Sequence, residues 1–296
     1  MTVLMQVMTL FLLIITGFIA AKKNVLDDRA LRGLNTMVLT FAQPALILHK
    51  MQMPTTPQLV IELIWVFVLT CATIAIAGCI SFRIFCKEEK NRRAVLTVLS
   101  MVSNCGFMGY PVIIATMGEG ALIYAVMFVT GFNLMSWTLG AYFFGGRKAM
   151  QPLKLLSNPT IISVIVGMML FLTGWTLPSF VNSALDMMGA TTTPLAMFVI
   201  GARLISLRRE HLRDTKLLLA CALRLLIFPA MILLLRFTPL PEIVVSSVYL
   251  CTAMPCAALT AMQAERWDCE KELASRGVAL STALSMLTVP LMLQLV

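Results

Sequence analysis

Long apolar runs separated by short polar segments dominate the chain, at roughly 3 to 21, 33 to 49, 58 to 82, 94 to 116, 120 to 144, 159 to 175, 179 to 202, 216 to 237, 242 to 264 and 273 to 295. Each is near the ~20 residues that an α-helix needs to cross a hydrocarbon core of about 30 Å. The pattern predicts an all-α polytopic membrane protein of ten transmembrane helices, with connections too short to hide a soluble domain. Two runs are interrupted from within. Asn104 to Pro111, Asn-Cys-Gly-Phe-Met-Gly-Tyr-Pro, puts an amide, two glycines and a proline in the middle of the fourth run, and Ala253-Met254-Pro255-Cys256-Ala257 breaks the ninth. Hydrocarbon offers the backbone no hydrogen-bond partner, so an unwound segment survives at that depth only where protein covers it or it lines a polar cavity. A pair of such breaks, one in each half of a chain, is the sequence pointer to the binding site of a secondary transporter.

The halves echo each other elsewhere. Gln43-Pro44-Ala45 in the second run and Thr193-Pro194-Leu195-Ala196 in the seventh each place a polar residue before a proline and small apolar residues. The offsets, 150 positions from Pro44 to Pro194 and 144 from Pro111 to Pro255, are both about half the chain. Five spans per half is an odd number, so the second half must enter the membrane from the opposite face. The expectation is a 5+5 inverted repeat, residues 1–150 and 151–296, with the broken helices of spans four and nine crossing inside one membrane domain.

Composition agrees with the pattern: 59% of residues are apolar and 12% charged, too few charges to coat a soluble protein of 296 residues. The first run is read as a span and not as a signal peptide, because Lys22 and Lys23 follow the apolar stretch and no small-residue cleavage site stands out. The net charge of +9 does not point to a nucleic acid, since the basic residues sort by side of the membrane. Of 23 lysines and arginines, all but Lys50, Arg236 and Arg224 lie in the loops after the odd-numbered spans, among them Lys154, Arg208 and Arg209. The positive-inside rule makes that side cytoplasmic and both termini extracytoplasmic, in a cytoplasmic (inner) membrane. The eight cysteines form no CxxC pair, and His49 and His211 stand far from any ligand-spaced partner, so no metal site or cofactor is expected. The 22 methionines are apolar filler.

Each break exposes half-helix ends. Unpaired N–H groups and a partial positive charge lie at the N-terminal ends, unpaired carbonyls at the C-terminal ones. A carboxylate held by Asn104, the backbone near Gly106 and Gly109, Pro111, Pro255 and Cys256 fits the first kind of end. Gln43, Thr193 and Asn133 are further candidates for contact with it. Asn104 as a cap of its own broken helix is the structural alternative. Asn158-Pro159 reads as an N-cap with proline at the first helical position. Arg224 lies some eight residues beyond Lys216, roughly 12 Å into the eighth span. A charge at mid-span costs on the order of 2.5 to 3.5 kcal/mol, which calls for a partner. A substrate counter-ion and a clamp on carbonyls or a carboxylate are both open. Glu62 and Asp186, a turn or two inside spans three and seven, are candidates to couple transport to H+ or Na+, or else reach the headgroups.

No paired carboxylates, multi-histidine set or phosphate loop is present, so the chain is not expected to be an enzyme. The expected function is secondary transport of a small organic anion by alternating access. An anion channel or uniporter on the same fold is the alternative, and a membrane sensor comes third. The expected partners are that anion and the lipid bilayer, with a homodimer left open.

Five features in order resemble the auxin efflux carrier family, which includes plant PIN-type exporters and bacterial carriers of malate- and malonate-like acids. They are Asn104-x-Gly106-Phe107-x-Gly109-x-Pro111; Asn158-Pro159; Pro194-Leu195-Ala196-x-x-x-Ile200-Gly201-x-x-Leu204; Arg224-x-x-x-x-Pro229; and Pro255 followed by Ala264 and Ser281-Thr282. The resemblance runs the whole length. It implies a ten-helix carrier similar to the bile acid/sodium symporter and sodium–proton antiporter folds, with helices four and nine crossing at the substrate site beside a scaffold. One position departs from it: where members often carry an amide after the second crossover proline, Leu259 and Thr260 stand here.

Overall fold

The computed structural model describes residues 3–25, 27–150, 157–206 and 213–295. Lys154, Arg208, Arg209, His211 and the expected boundary at residue 151 lie outside the described residues. The described residues form an all-helical protein with one isolated antiparallel bridge. Five helices are long and apolar enough to span a bilayer: Pro57–Ile84, Glu119–Ala149, Ser179–Arg203, Thr215–Phe237 and Lys271–Leu295. Shorter apolar helices cover Met8–Lys22, Cys105–Met117, Pro159–Thr173 and Glu242–Thr252. The runs that look alike in the sequence therefore differ in length as helices, chiefly because the fourth and ninth are cut. The fourth becomes α5 (Lys90–Met101) and α6 (Tyr110–Met117), and the ninth becomes α14 (Glu242–Thr252) and α15 (Ala258–Arg266).

Helix starts follow local chemistry. Asn158 accepts from the Thr160 N–H at 2.9 Å with Pro159 at the first helical position, and Thr56 accepts from the Leu59 N–H ahead of Pro57. Asp214 accepts from the N–H groups of Lys216 and Leu217 at the head of α12 (Thr215–Ala222).

Proline also explains a recurring distortion. Three π turns, Val38–Ala42, Cys105–Gly109 and Leu223–Ile227, each end two residues before a proline: Pro44, Pro111 and Pro229. A proline ring collides with the carbonyl four residues back and offers it no N–H; widening the turn moves that carbonyl aside. A fourth π turn, Ser136–Gly140, has no proline. There a side chain enters instead, the Gln263 amide donating to the Ser136 carbonyl at 2.8 Å.

The helices pack in two groups. In the first, α1 (Val3–Lys22) lies on α11 (Thr192–Arg203), and α3 (Gln43–Lys50) lies between α9 (Pro159–Thr173) and α10 (Ser179–Ala190). Backbones touch in this group: a Cβ at Gly17 would stand 2.0 Å from the Phe198 carbonyl oxygen, and one at Gly201 only 1.8 Å from that of Ile14. Small residues permit such close contact where lipid supplies no hydrophobic drive. In the second group, α4 (Pro57–Ile84) packs on α5, α7 (Leu122–Met135) and α14, while α12 packs on α5 and α16 (Lys271–Met292). The groups meet where α1, α3 and α11 touch α6, α7 and the Cys105–Gly109 turn.

Candidate functional site

The two breaks lie against each other. Val102 is extended at the end of α5, and Asn104 leaves helical geometry with ψ 55°. Across from them, Ala257 is extended ahead of α15. Ser103 and Cys256 form the antiparallel bridge, the Asn104 N–H donates to the Pro255 carbonyl at 2.7 Å, and the Ala257 N–H donates to that of Val102 at 3.2 Å. The Cys256 N–H is taken by Ser281 Oγ at 3.1 Å. The backbone groups freed by one break are thus satisfied largely by the other, as unwound chain in a membrane requires.

The C-terminal ends of α5 and α14 converge on Arg224, which is 2% exposed. One guanidinium nitrogen donates to the carbonyls of Ser100 (3.3 Å) and Met101 (3.0 Å), and the other to that of Thr252. Of the two roles open for this residue, the geometry places it on carbonyls. It lines neither of the cavities described next.

On the N-terminal side of the breaks opens a cavity of about 580 Å³, which includes Gln43, Ser103, Asn104, Gly106, Asn133 and Ala257 in its lining. The Asn104 side chain caps no helix. Gln43 is 2% exposed, its Nε2 has no hydrogen-bond partner, and a Cβ at Gly106 would stand 2.9 Å from that nitrogen. Asn133 gives its amide N–H to the Val129 carbonyl of its own helix at 2.9 Å. Leu39, Phe107, Val129, Phe132 and Trp137 supply apolar wall, and no charged side chain is among the described residues of the lining. An adjoining cavity of about 420 Å³ shares Asn35, Asn104, Phe107 and Ala258 with it and includes Arg32 and Arg203.

The remaining candidates sit elsewhere. Gly109 faces Cys105 and Cys251, Pro111 is buried in the first turn of α6, Thr193 lies in α11, and none of the three lines either cavity. Pro255 and Cys256 contribute through the backbone contacts already given. Glu62 accepts from Tyr124 (2.5 Å) and Gln58 (3.0 Å), which joins α4 to α7. Asp186 is on the exposed side of α10, 3.3 Å from His49 Nε2. Asn35, Thr36 and Thr40 line the larger cavity as well, without standing out in the sequence as the breaks do. With Leu39 and Gln43 they recur at helical spacing along one face, a polar stripe that the sequence does carry.

Residues 2–293 match the family described as "Membrane transport protein". An uncharacterized transporter of Methanothermobacter thermautotrophicus is 27% identical over 293 residues, covering 96% of this chain and 95% of that protein. An uncharacterized transporter of Methanocaldococcus jannaschii is 24% identical over 298 residues, covering 96% of each.

Proposed function

We propose that this chain, which belongs to the membrane transport protein family of auxin efflux carriers, is a secondary carrier of a small organic anion. In this reading its ten spans form a 5+5 inverted repeat, and the substrate binds where the two broken helices cross. The observation that carries the proposal is the juxtaposition of Asn104 and Gln43 in the larger cavity: one amide caps nothing, the other is buried with an unpartnered Nε2, and both stand beside the joined breaks.

A carboxylate there accepts from these amides and from N–H groups at the heads of α15 and the Cys105–Gly109 turn. Each helix head carries a partial charge of about +0.5. With no cation among the described lining residues, neutral donors and dipoles do this work, and the walls of Leu39, Phe132 and Trp137 suit an apolar body behind one carboxylate. The basic loops are the cytoplasmic side, and the Arg32–Arg203 cavity gives the anion a route to it. Movement of the group containing both breaks against the group containing α1, α3, α9 and α11 alternates access.

The test is a thermal-shift and titration screen of purified protein against benzoate, indole-3-acetate, malonate and malate, followed by flux in proteoliposomes. Saturable binding of at least one acid, with saturable flux and counter-transport of the same acid, is the expected result. Conductance without saturation would identify a channel, and absence of both binding and flux would remove the carrier assignment for these acids.

A further inference from the structure

Half-helix C-terminal ends and unwound carbonyls are where transporters with broken helices hold a coupling cation. In this protein three of those oxygens accept from one side chain of the protein itself. The last carbonyls of α5, Ser100 and Met101, and the last of α14, Thr252, all accept from Arg224. Each helix C-terminus carries a partial charge of about −0.5, so two ends meeting at one point amount to about one negative charge, which a single guanidinium balances. Arginine keeps its proton at any physiological pH and presents its donors as a planar fork, which suits bridging two helix ends in a way that one lysine ammonium does not. Among the described residues the lining of neither cavity includes a carboxylate to hold a metal ion instead. Glu62 is engaged by Tyr124 and Gln58, and Asp186 is on an exposed helix face beside His49.

We infer that Arg224 is a resident cation of the crossing: it stands where a coupling sodium ion would bind, so the protein takes up its anion without sodium. This rests on the carrier reading above. A sodium ion arriving at the crossing meets the Ser100, Met101 and Thr252 carbonyls already bonded to Arg224 and a like charge beside them. Arg224 is a positioning residue, because it lines neither cavity and acts through the ends of α5 and α14, from which the chain passes directly into the Cys105–Gly109 turn and α15 that face the anion. Each transport cycle then carries the anion's own charge with no sodium to offset it.

The experiment compares the wild type with Arg224→Ala in sodium chloride, choline chloride and guanidinium chloride at equal ionic strength and low millimolar concentrations. Malonate and indole-3-acetate are the probes for affinity, and thermal unfolding is measured without either. The wild type should show the same affinity and the same melting temperature in all three salts. Arg224→Ala should melt lower and bind more weakly in choline, and guanidinium should restore both quantities, because it enters the space the side chain leaves. Coupling between two ligands shifts affinity by about 5- to 150-fold, so a rise of that size in wild-type affinity on changing choline for sodium would overturn the inference. Wild-type affinity in Arg224→Ala without added cation would do the same. If that variant yields no folded protein, the wild-type salt comparison decides, together with Arg224→Lys, which keeps a charge and should share the indifference to sodium. If neither acid binds, the carrier reading fails for them, while the melting temperature still tests the cation: a specific rise in sodium for the wild type, as ligand binding would produce, excludes a resident charge.

Discussion

Two arginines join the same pair of helices in opposite surroundings. Near the start of α5, Arg92 bonds Asp214, the N-cap of α12, at 2.6 Å, with Glu88 and Lys216 completing an ion-pair network at the aqueous end. Some ten residues further along both helices, roughly 15 Å at the α-helical rise, Arg224 on the α12 side meets Ser100 and Met101 at the end of α5. The outer rung has its side chains 28% and 27% exposed, whereas Arg224 is 2% exposed. Exposed pairs are worth about 0.2 to 1 kcal/mol, because water serves each partner nearly as well as the other partner does. The inner rung has no water to fall back on, so its removal leaves carbonyls stranded. The surroundings, and not the residue type, are therefore expected to make the one arginine dispensable and the other structural.

The strongest test of that contrast replaces the inner arginine with a residue that fills its space and bonds nothing. Arg224→Leu leaves the Ser100, Met101 and Thr252 carbonyls without their donor. Each stranded buried group costs about 1 to 3 kcal/mol. Against a total stability of about 5 to 15 kcal/mol, this predicts a large loss of folded protein, read by size-exclusion chromatography and thermal unfolding of the detergent-solubilised variant. Arg92→Leu, the same change at the outer rung, should leave yield nearly intact. Equal effects would dissolve the comparison.

A smaller effect is expected across the breaks from Arg224, where the N-terminal ends face the cavity. Asn104→Ala removes a side chain that caps no helix, so stability should hold. A hydrogen bond to a charged ligand is worth about 1.5 to 3 kcal/mol, and the dissociation constant for the transported acid should rise about 10- to 150-fold. Unchanged affinity by titration would take Asn104 out of the site. Gly106→Ala should act more mildly in the same direction. Its Cβ would come within 2.9 Å of Gln43 Nε2, the far end of a flexible side chain that can shift by some tenths of an ångström. The amide then leaves its place in the cavity, and affinity should fall a few-fold, with the melting temperature unmoved.

The breaks themselves were legible in the sequence because Asn104, Gly106, Gly109, Pro111 and Pro255 contrast with the apolar residues around them. Arg224 was legible for the same reason, as a charge at membrane depth. Its partners were not, since a main-chain carbonyl belongs to every residue and only the fold selects Ser100, Met101 and Thr252. Gly17 and Gly201 were hidden differently: inside apolar runs they pass for filler, and the contact of backbones that requires them appears only when α1 and α11 pack. The π turns divide along the same line. Those before Pro44, Pro111 and Pro229 follow from the ring, while the one at Ser136–Gly140 accompanies Gln263, 127 positions away. The chain announces where a helix must break and leaves to the fold what fills the gap.

The smallest expected effect belongs to the outer rung, and pH isolates it. Burial pushes the Asp214 carboxyl up, but the Arg92 hydrogen bond, the N–H groups of Leu217 and Lys216 and the Arg92 charge together outweigh it and hold the group below its ordinary 3.8. A carboxyl depressed by folding contributes stability that is fully present above its unfolded value and is lost as the pH falls through the lower folded one. The outer rung should therefore contribute in full at neutral pH and fade only below 3.8. Asp214→Asn keeps a side-chain oxygen for capping and removes the charge. Melting temperatures of wild type and Asp214→Asn should differ slightly at pH 7, by no more than an exposed ion pair supplies, and should converge as the pH is taken below 3.8. The inner rung offers a control, because an arginine bonded to carbonyls has no carboxyl to protonate and its contribution persists through the same range. A gap between the two proteins that stays constant with pH would show that the Arg92–Asp214 ion pair does not contribute to joining these helices.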